Sequence, residues 1–273
     1  AKWEKSEALP RLAFLTGGET ANRVPDQARA EVLGVSMEDV EPLCRRFTEE
    51  TGARLTAEPM EGGVRVFAAG VGAHAAEPEK GVNAQTALLA LLRNLNLADC
   101  GSTRAVTALC RIFPHGDTAG RALGIAVEDE LSGALTLNFG VLKIDERGLS
   151  GGCDLRLPLA STEENTDRAL KNALEDAGFT VTGMEKSLVH HTPADTPFVQ
   201  TLLRVYEAYT GEKGQCQSVG GQTYVHGIPG GVAFGCAFPG TDNRMHAADE
   251  FAVIDELILS ARMFTQVILE MCR

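Results

Sequence analysis

The stretch Ser36-Met37-Glu38-Asp39-Val40-Glu41-Pro42-Leu43-Cys44-Arg45-Arg46-Phe47-Thr48-Glu49-Glu50-Thr51-Gly52 decides how this 273-residue chain is read. An acid three residues after a serine is a helix-start pattern, because the two side chains satisfy N–H groups that the first turn leaves unpaired. Val40, Leu43, Cys44 and Phe47 then recur at helical spacing, and Gly52 supplies a stop. The spacing predicts a helix of about 15 residues. Strand-like sequence stands on both sides, Gln27 to Gly34 before it and Ala53 to Glu58 after it, which is half of a split β-α-β pattern. The plan then recurs. Ser161-Thr162-Glu163-Glu164 opens a second helix with Leu170, Ala173, Leu174 and Ala177 on one face and Gly178 at its end, between the strand-like Gly151 to Leu159 and Phe179 to Met184.

Further strands are predicted over Leu12 to Thr16, Val64 to Ala69 and Thr136 to Ile144, with Glu61-Gly62-Gly63 as a hairpin turn. Ala84, Ala87, Leu88 and Leu91 predict a helix from Asn83 to Leu95, and the stretch from Leu97 to Leu131 joins two related α+β halves. After His190-His191 the texture changes. Pro197 at a first helical position and the stripe Phe198, Leu202, Val205, Tyr206, Tyr209 predict a helix to about Thr210. A Gly220-Gly221 turn and a buried strand from Gly231 to Ala237 follow. A long helix then ends the chain, with Ile254, Leu257, Ile258, Ala261, Phe264 and Ile268 on one side. Helix, strand and helix suggest the flank of a layered, mainly parallel sheet, too small to be a complete domain.

Acidic residues outnumber basic ones 37 to 25, a net charge of −12, so no basic footprint is available for nucleic acid or anionic lipid. The longest apolar run, Ala87 to Leu92, is far short of the roughly 18 residues a membrane span needs. Seven cysteines without a C-x-x-C pair fit reduced thiols and a cytoplasmic location rather than a disulfide framework. Residues 1–11 carry Lys2, Glu4, Lys5 and Glu7 and show no signal-peptide core; the chain starts with Ala, as a trimmed piece of a longer protein would.

Several polar clusters are candidates for chemistry, each with a bland alternative. His246 lies in the loop Phe238 to Glu250 between a core strand and the last helix, where open α/β sheets hold ligands and metals; equally, Asp249 caps that helix and His246 is a loop residue. His74, in Gly72 to Asn83, enters a helix from a loop and is placed to donate to an oxyanion or simply to shape the loop. Gly220-Gly221-Gln222-Thr223 offers N–H groups for a carboxylate, or is just a turn. Arg156 alternates with Leu155 and Leu157 and has the fork that matches carboxylates. Asn22 precedes Val24-Pro25 as a turn former. His115-Gly116-Asp117 and Glu128-Asp129-Glu130 read as solvated surface in an irregular stretch.

In order, these clusters resemble the carnosinase-like dinuclear zinc dipeptidases, a metallopeptidase family that includes aminoacylases and succinyl-diaminopimelate desuccinylase, and within it bacterial dipeptidases with a two-part lid. The likeness covers residues 11–96 and about 135–273. Its most specific parts are Thr196 to Leu202, Gly220 to Tyr224, Gly231 to Gly235, Phe238-Pro239-Gly240 and His246 to Glu250. It implies an α+β chain: a lid of two ferredoxin-like halves over 1–191, then the C-terminal segment of a three-layer α/β catalytic domain over 192–273. It implies that His246 binds metal, that His74 stabilises the tetrahedral oxyanion, and that Asn22 and Arg156 touch a dipeptide substrate, Arg156 gripping its carboxylate. Gly220, Gly221 and Thr223 would line the same pocket. Two zinc ions would activate a bridging water, with a glutamate as general base.

Gln222, Val225 and His226 depart from the family's usual Gly-Gly-Gly-Thr-Tyr-Ala-Arg turn and bear on substrate preference. The family's other metal ligands and its Glu-Glu pair lie upstream of the lid, so the resemblance implies a chain that is inactive without an N-terminal part. An N-acyl amino acid amidase or deacylase, and a non-catalytic binding or dimerisation module that self-associates, are the alternatives. Zinc normally takes three or four protein ligands, and only His246 is expected here. Calorimetric titration of the 273-residue chain with zinc is expected to show no stoichiometric sub-micromolar site; finding one would reveal ligands outside this set.

Overall fold

A computed structural model describes residues 6–186, 189–219, 223–244 and 249–272. The chain forms two compact units, Ala1–Glu185 and Lys186–Arg273. The first contains β1 (Arg11–Gly17), β2 (Gln27–Leu33), α1 (Met37–Thr51), β3 (Arg54–Met60), β4 (Gly63–Ala69), α2 (Ala84–Arg93) and α3 (Gly101–Ile112). The two-residue strands β5 (Glu128–Asp129) and β6 (Gly133–Ala134) follow, then β7 (Thr136–Asp145) and β8 (Gly148–Arg156), a π-helical turn over Glu163–Arg168, and α4 (Ala169–Asp176).

Helix α1 starts and stops as its sequence predicts. The Asp39 carboxylate accepts from both the N–H (2.8 Å) and the hydroxyl (2.7 Å) of Ser36, and these bonds hold its pKa below the ordinary carboxylate value. At the other end Gly52 has φ 73° and donates to the Thr48 carbonyl. The helix carries the chain from β2 to β3, and β4 lies between those two strands, antiparallel to both.

The six long strands form one antiparallel sheet in the order β3-β4-β2-β1-β7-β8, so the two expected halves share a single sheet. Register builds its core. Ala57, Val66, Ala30, Leu15, Ile144 and Leu149 are successive cross-strand partners and form one apolar row through all six strands. Val66, Ala30, Leu15 and Ile144 are fully buried, and α2 covers β1, β2 and β4 with Leu88, Leu89, Leu91 and Leu92. The alternate residues make a polar face, where Arg65 pairs with Glu31 and Glu58 and Arg29 lies over the Phe14 ring. The Asp129 carboxylate ties the β5–β6 turn to the chain after β8 by accepting from Leu131, Ser132 and Ala160, which pulls its pKa down to about 2.

The second strand-helix-strand unit is not completed in the described residues. Phe179 to Met184 forms no strand; only Phe179 packs on the core and Val181 is partly covered before Gly183, Glu185 and Lys186 end the alternation, too little apolar surface to hold an edge strand.

In the second unit, α5 (Pro197–Thr210) packs on α6 (Ile254–Met271) through Leu202, Val205, Met263 and Val267. Gly231 to Ala237 is not the predicted strand. Among the described residues of this unit no strand exists for it to pair with, and Val232 and Phe234 instead pack against the helix pair. The burial of α6 is also reversed. Its Ser260, Met263 and Val267 side faces inward, while the predicted stripe is largely exposed, with Ile254 at 72% and Ile268 at 59%. No helix among the described residues is long and apolar enough to cross a membrane, and all seven cysteines are free thiols.

Leu15→Ala, at the centre of the apolar row, is expected to lower stability by about 2–5 kcal/mol in urea titration, against less than about 0.5 kcal/mol for the exposed Leu131→Ala. Equal effects would show that the row is not the core.

Candidate active site

The first half of β7 is a platform for two loops. The chain leaving β1 runs back along β7 so closely that a Cβ on Gly140 would stand 2.4 Å from the Ala21 carbonyl oxygen, and one on Gly18 (φ 68°) 1.9 Å from the Gly140 oxygen. Only hydrogen fits at these positions. Next to this contact, the buried Asn138 donates its amide to the carbonyls of Ala21 (2.7 Å) and Arg23 (2.9 Å), the two that flank Asn22. Leaving those carbonyls unmet in a buried setting would be unfavourable, so the amide fixes the loop around Asn22.

The second loop carries His74 and is laced to the first. Arg23 and His74 form an antiparallel bridge, Ala75 N–H donates to the Asn22 carbonyl (3.0 Å), and Val24 N–H donates to the Ala73 carbonyl (2.9 Å). Thr136 at the start of β7 donates its hydroxyl to the Ala75 carbonyl (3.2 Å). A bridge between Val71 and Val82 closes the loop at its base. Asn83 then caps α2, accepting from Gln85 and Thr86 N–H, and donates to the Phe139 carbonyl (2.9 Å). Within the loop, Ala76 N–H donates to His74 Nδ1 (3.1 Å). A ring nitrogen that accepts carries no proton, so neutral His74 holds its proton on Nε2.

Arg156 belongs to the same neighbourhood. It ends β8 as the cross-strand partner of Thr136, whose hydroxyl reaches the His74 loop. Asn22, His74 and Arg156, separated by as many as 134 residues, therefore gather at the Thr136 end of β7. One edge of the Arg156 guanidinium already grips Asp154, Nε to Oδ1 at 2.6 Å and Nη2 to Oδ2 at 3.0 Å.

The remaining candidates belong to the second unit. Thr223 is exposed ahead of a 3-10 turn, Tyr224–Gly227, and its N–H donates to His226 Nδ1 (3.1 Å). The His226 ring lies 5.5 Å from that of His190, which bonds the Gly231 carbonyl. Gly220, Gly221 and His246 lie outside the described residues. Among the described residues, no three His, Cys, Asp or Glu side chains come together in a way that would hold a metal ion. Sequence reasoning missed Thr136, Asn138 and Asn83 as positioning residues. Their one signal was polarity, Thr136 and Asn138 alternating with Leu135, Leu137 and Phe139 at the start of a predicted core strand.

No protein-family model matches the chain. It is similar to three bacterial proteins that bear the name "Putative dipeptidase". These are YtjP of Bacillus subtilis (strain 168), 34% identical over 98% of this chain and 58% of that protein, a Staphylococcus epidermidis protein at 28% over 96% and 56%, and SAB1611c of Staphylococcus aureus at 27% over 98% and 57%. The chain thus spans a little over half the length of these relatives.

His115 corrects its sequence reading as solvated surface. The ring is half-buried, with Nδ1 2.8 Å from the Thr86 hydroxyl and Nε2 3.0 Å from the Thr51 carbonyl, so it joins the end of α1 to the start of α2. Its neighbour Asp117 accepts from Ala119, Arg121 and Ala122 N–H and closes a local turn. Desolvation lowers the His115 pKa from its ordinary 6.5. Below pH 6.5 the unfolded chain therefore binds a proton that the folded chain does not, and the stability that neutral His115 contributes is lost as pH falls from 6.5 through the folded value. Urea midpoints measured between pH 7.5 and 5.5 are expected to fall more steeply for the wild type than for His115→Gln; parallel slopes would remove His115 as the cause.

Proposed function

We propose that this chain is the lid and C-terminal segment of a longer zinc-dependent dipeptidase, residues 1–191 forming the lid. The observation that supports this most is the shared location of Asn22, His74 and Arg156 on loops and a strand anchored to β7. An amide, an Nε2–H imidazole and a guanidinium offer donors to one side of a ligand. A dipeptide presents the matching acceptors, a carbonyl that becomes an oxyanion during hydrolysis and a terminal carboxylate. In this reading Asn22 and His74 bind the scissile carbonyl region, and Arg156 takes the terminal carboxylate once its pairing with Asp154 is shared. The similarity to proteins named as dipeptidases points the same way.

Zinc enters this reading through the complete enzyme. The described residues alone do not fit a zinc site, since no three metal-ligating side chains meet. Two zinc ions per site are proposed for the full-length protein, with His246 as the ligand from this chain and Gly220, Gly221 and Thr223 as substrate-binding residues. The helix α6 is consistent with a longer protein: it is apolar on two sides and buries one, and a helix of that kind is covered all round in a larger core.

Assays of the full-length protein with dipeptides and with N-acyl amino acids test the proposal. Dipeptide hydrolysis that a chelator abolishes and zinc restores is expected. Arg156→Ala is expected to raise KM at least tenfold with a smaller change in kcat, as loss of a carboxylate grip should. Cleavage of N-acyl amino acids only would establish the deacylase reading, and hydrolysis of neither would leave a binding module.

A further inference from the structure

A groove of about 430 Å³ on the helical layer of the first unit, lined from α2 and α3, is basic. Arg93 from the last turn of α2 lines it together with Arg104 and Arg111 of α3, Thr103, Thr107 and the apolar Leu97. Arg104, Thr107 and Arg111 recur at helical spacing, so they lie on one face, and the two arginines stand about 10 Å apart along the axis. The Arg93 charge reaches across to α3, where it opposes the upward shift that burial gives the Cys110 thiol.

Three guanidinium groups around one groove are unusual in a chain whose net charge is −12. One carboxylate lines it, Asp99, and bonds Arg104 at 2.8 Å. Among the described residues Arg93 and Arg111 have no carboxylate partner. Placement in the last turn of a helix favours each of them singly through the helix dipole. It does not account for their meeting across one groove with two hydroxyls.

We propose that this groove binds an oligophosphate-bearing small molecule, whose phosphoryl groups bridge Arg93, Arg104 and Arg111. Guanidinium forks match phosphoryl oxygens two at a time, and long arginine side chains rooted on two helices can converge on a chain of linked phosphates that is shorter than the axial separation of Arg104 and Arg111. The Thr103 and Thr107 hydroxyls donate to the Ala98 and Thr103 carbonyls, at 2.7 and 3.0 Å, so toward a ligand they act as acceptors for bridging water or a protonated phosphate oxygen. The site is independent of the dipeptidase reading.

Titration of the 273-residue chain with inorganic tripolyphosphate by calorimetry tests it. Saturable one-to-one binding is expected, weakened at least tenfold in Arg93→Gln/Arg111→Gln, whose folded state is checked by its circular dichroism spectrum. Arg45→Gln/Arg147→Gln removes the same charge from exposed positions elsewhere and is expected to bind as the wild type does. Arg93→Lys/Arg111→Lys, which keeps the charge and loses the forks, is expected to fall between, and it serves as the test variant if the glutamine pair does not fold. Absence of saturable binding, full binding by the glutamine pair, or equal loss in the control pair would overturn the proposal.

Discussion

The ladder between β1 and β7 is short, only Leu15 to Ile144, Thr16 to Lys143 and Gly17 to Leu142, yet the candidate site depends on it. It joins the four strands β1 to β4 to the β7–β8 hairpin in one sheet. Leu15 and Ile144 are fully buried at that junction and continue the apolar row to both edges. Asn22 and His74 come from one side of the junction and Arg156 from the other, so the ladder decides whether they meet. A slip by one residue would turn the buried row outward and point Thr136 and Asn138 away from the loops they hold, because side chains alternate faces along a strand.

Polar groups complete the arrangement. Asn138, Gln85 and Asn83 spend their amides on backbone carbonyls of the loops and of β7 itself, and His115 and Asp129 do comparable work at α1 and at the β5–β6 turn. These bonds add little net stability individually, but a buried carbonyl left unmet is unfavourable, so they select one loop conformation. The loops thus owe their shape to the sheet beneath them.

The second unit is built on a different balance. Its core is small, four buried apolar residues where α5 meets α6. Phe234 and Phe264 meet edge to face beside that core, and Arg204 pairs with Glu270 at its rim. Much of the apolar surface of α6 stays exposed, Ile254, Leu257, Ile258, Ile268 and Leu269 among it.

Much of the fold was legible in the chain itself. Local rules sufficed for α1, whose serine and aspartate start it and whose glycine closes it, and for the alternating strands and the extents of α2 and α5. The side of α6 that is buried was not legible, because both faces are apolar and the choice rests on where α5 lies. Nor were the absent strands at 179–184 and 231–237, since a strand needs a neighbour and no local pattern supplies one. For the site, the family resemblance implied Asn22, His74 and Arg156, but their meeting was decided by the β1–β7 register and by the close approach at Gly140. Periodicity is a property of neighbouring residues. Cross-strand register and the pairing of buried amides with distant carbonyls join residues more than a hundred positions apart, and only the folded chain brings those into contact.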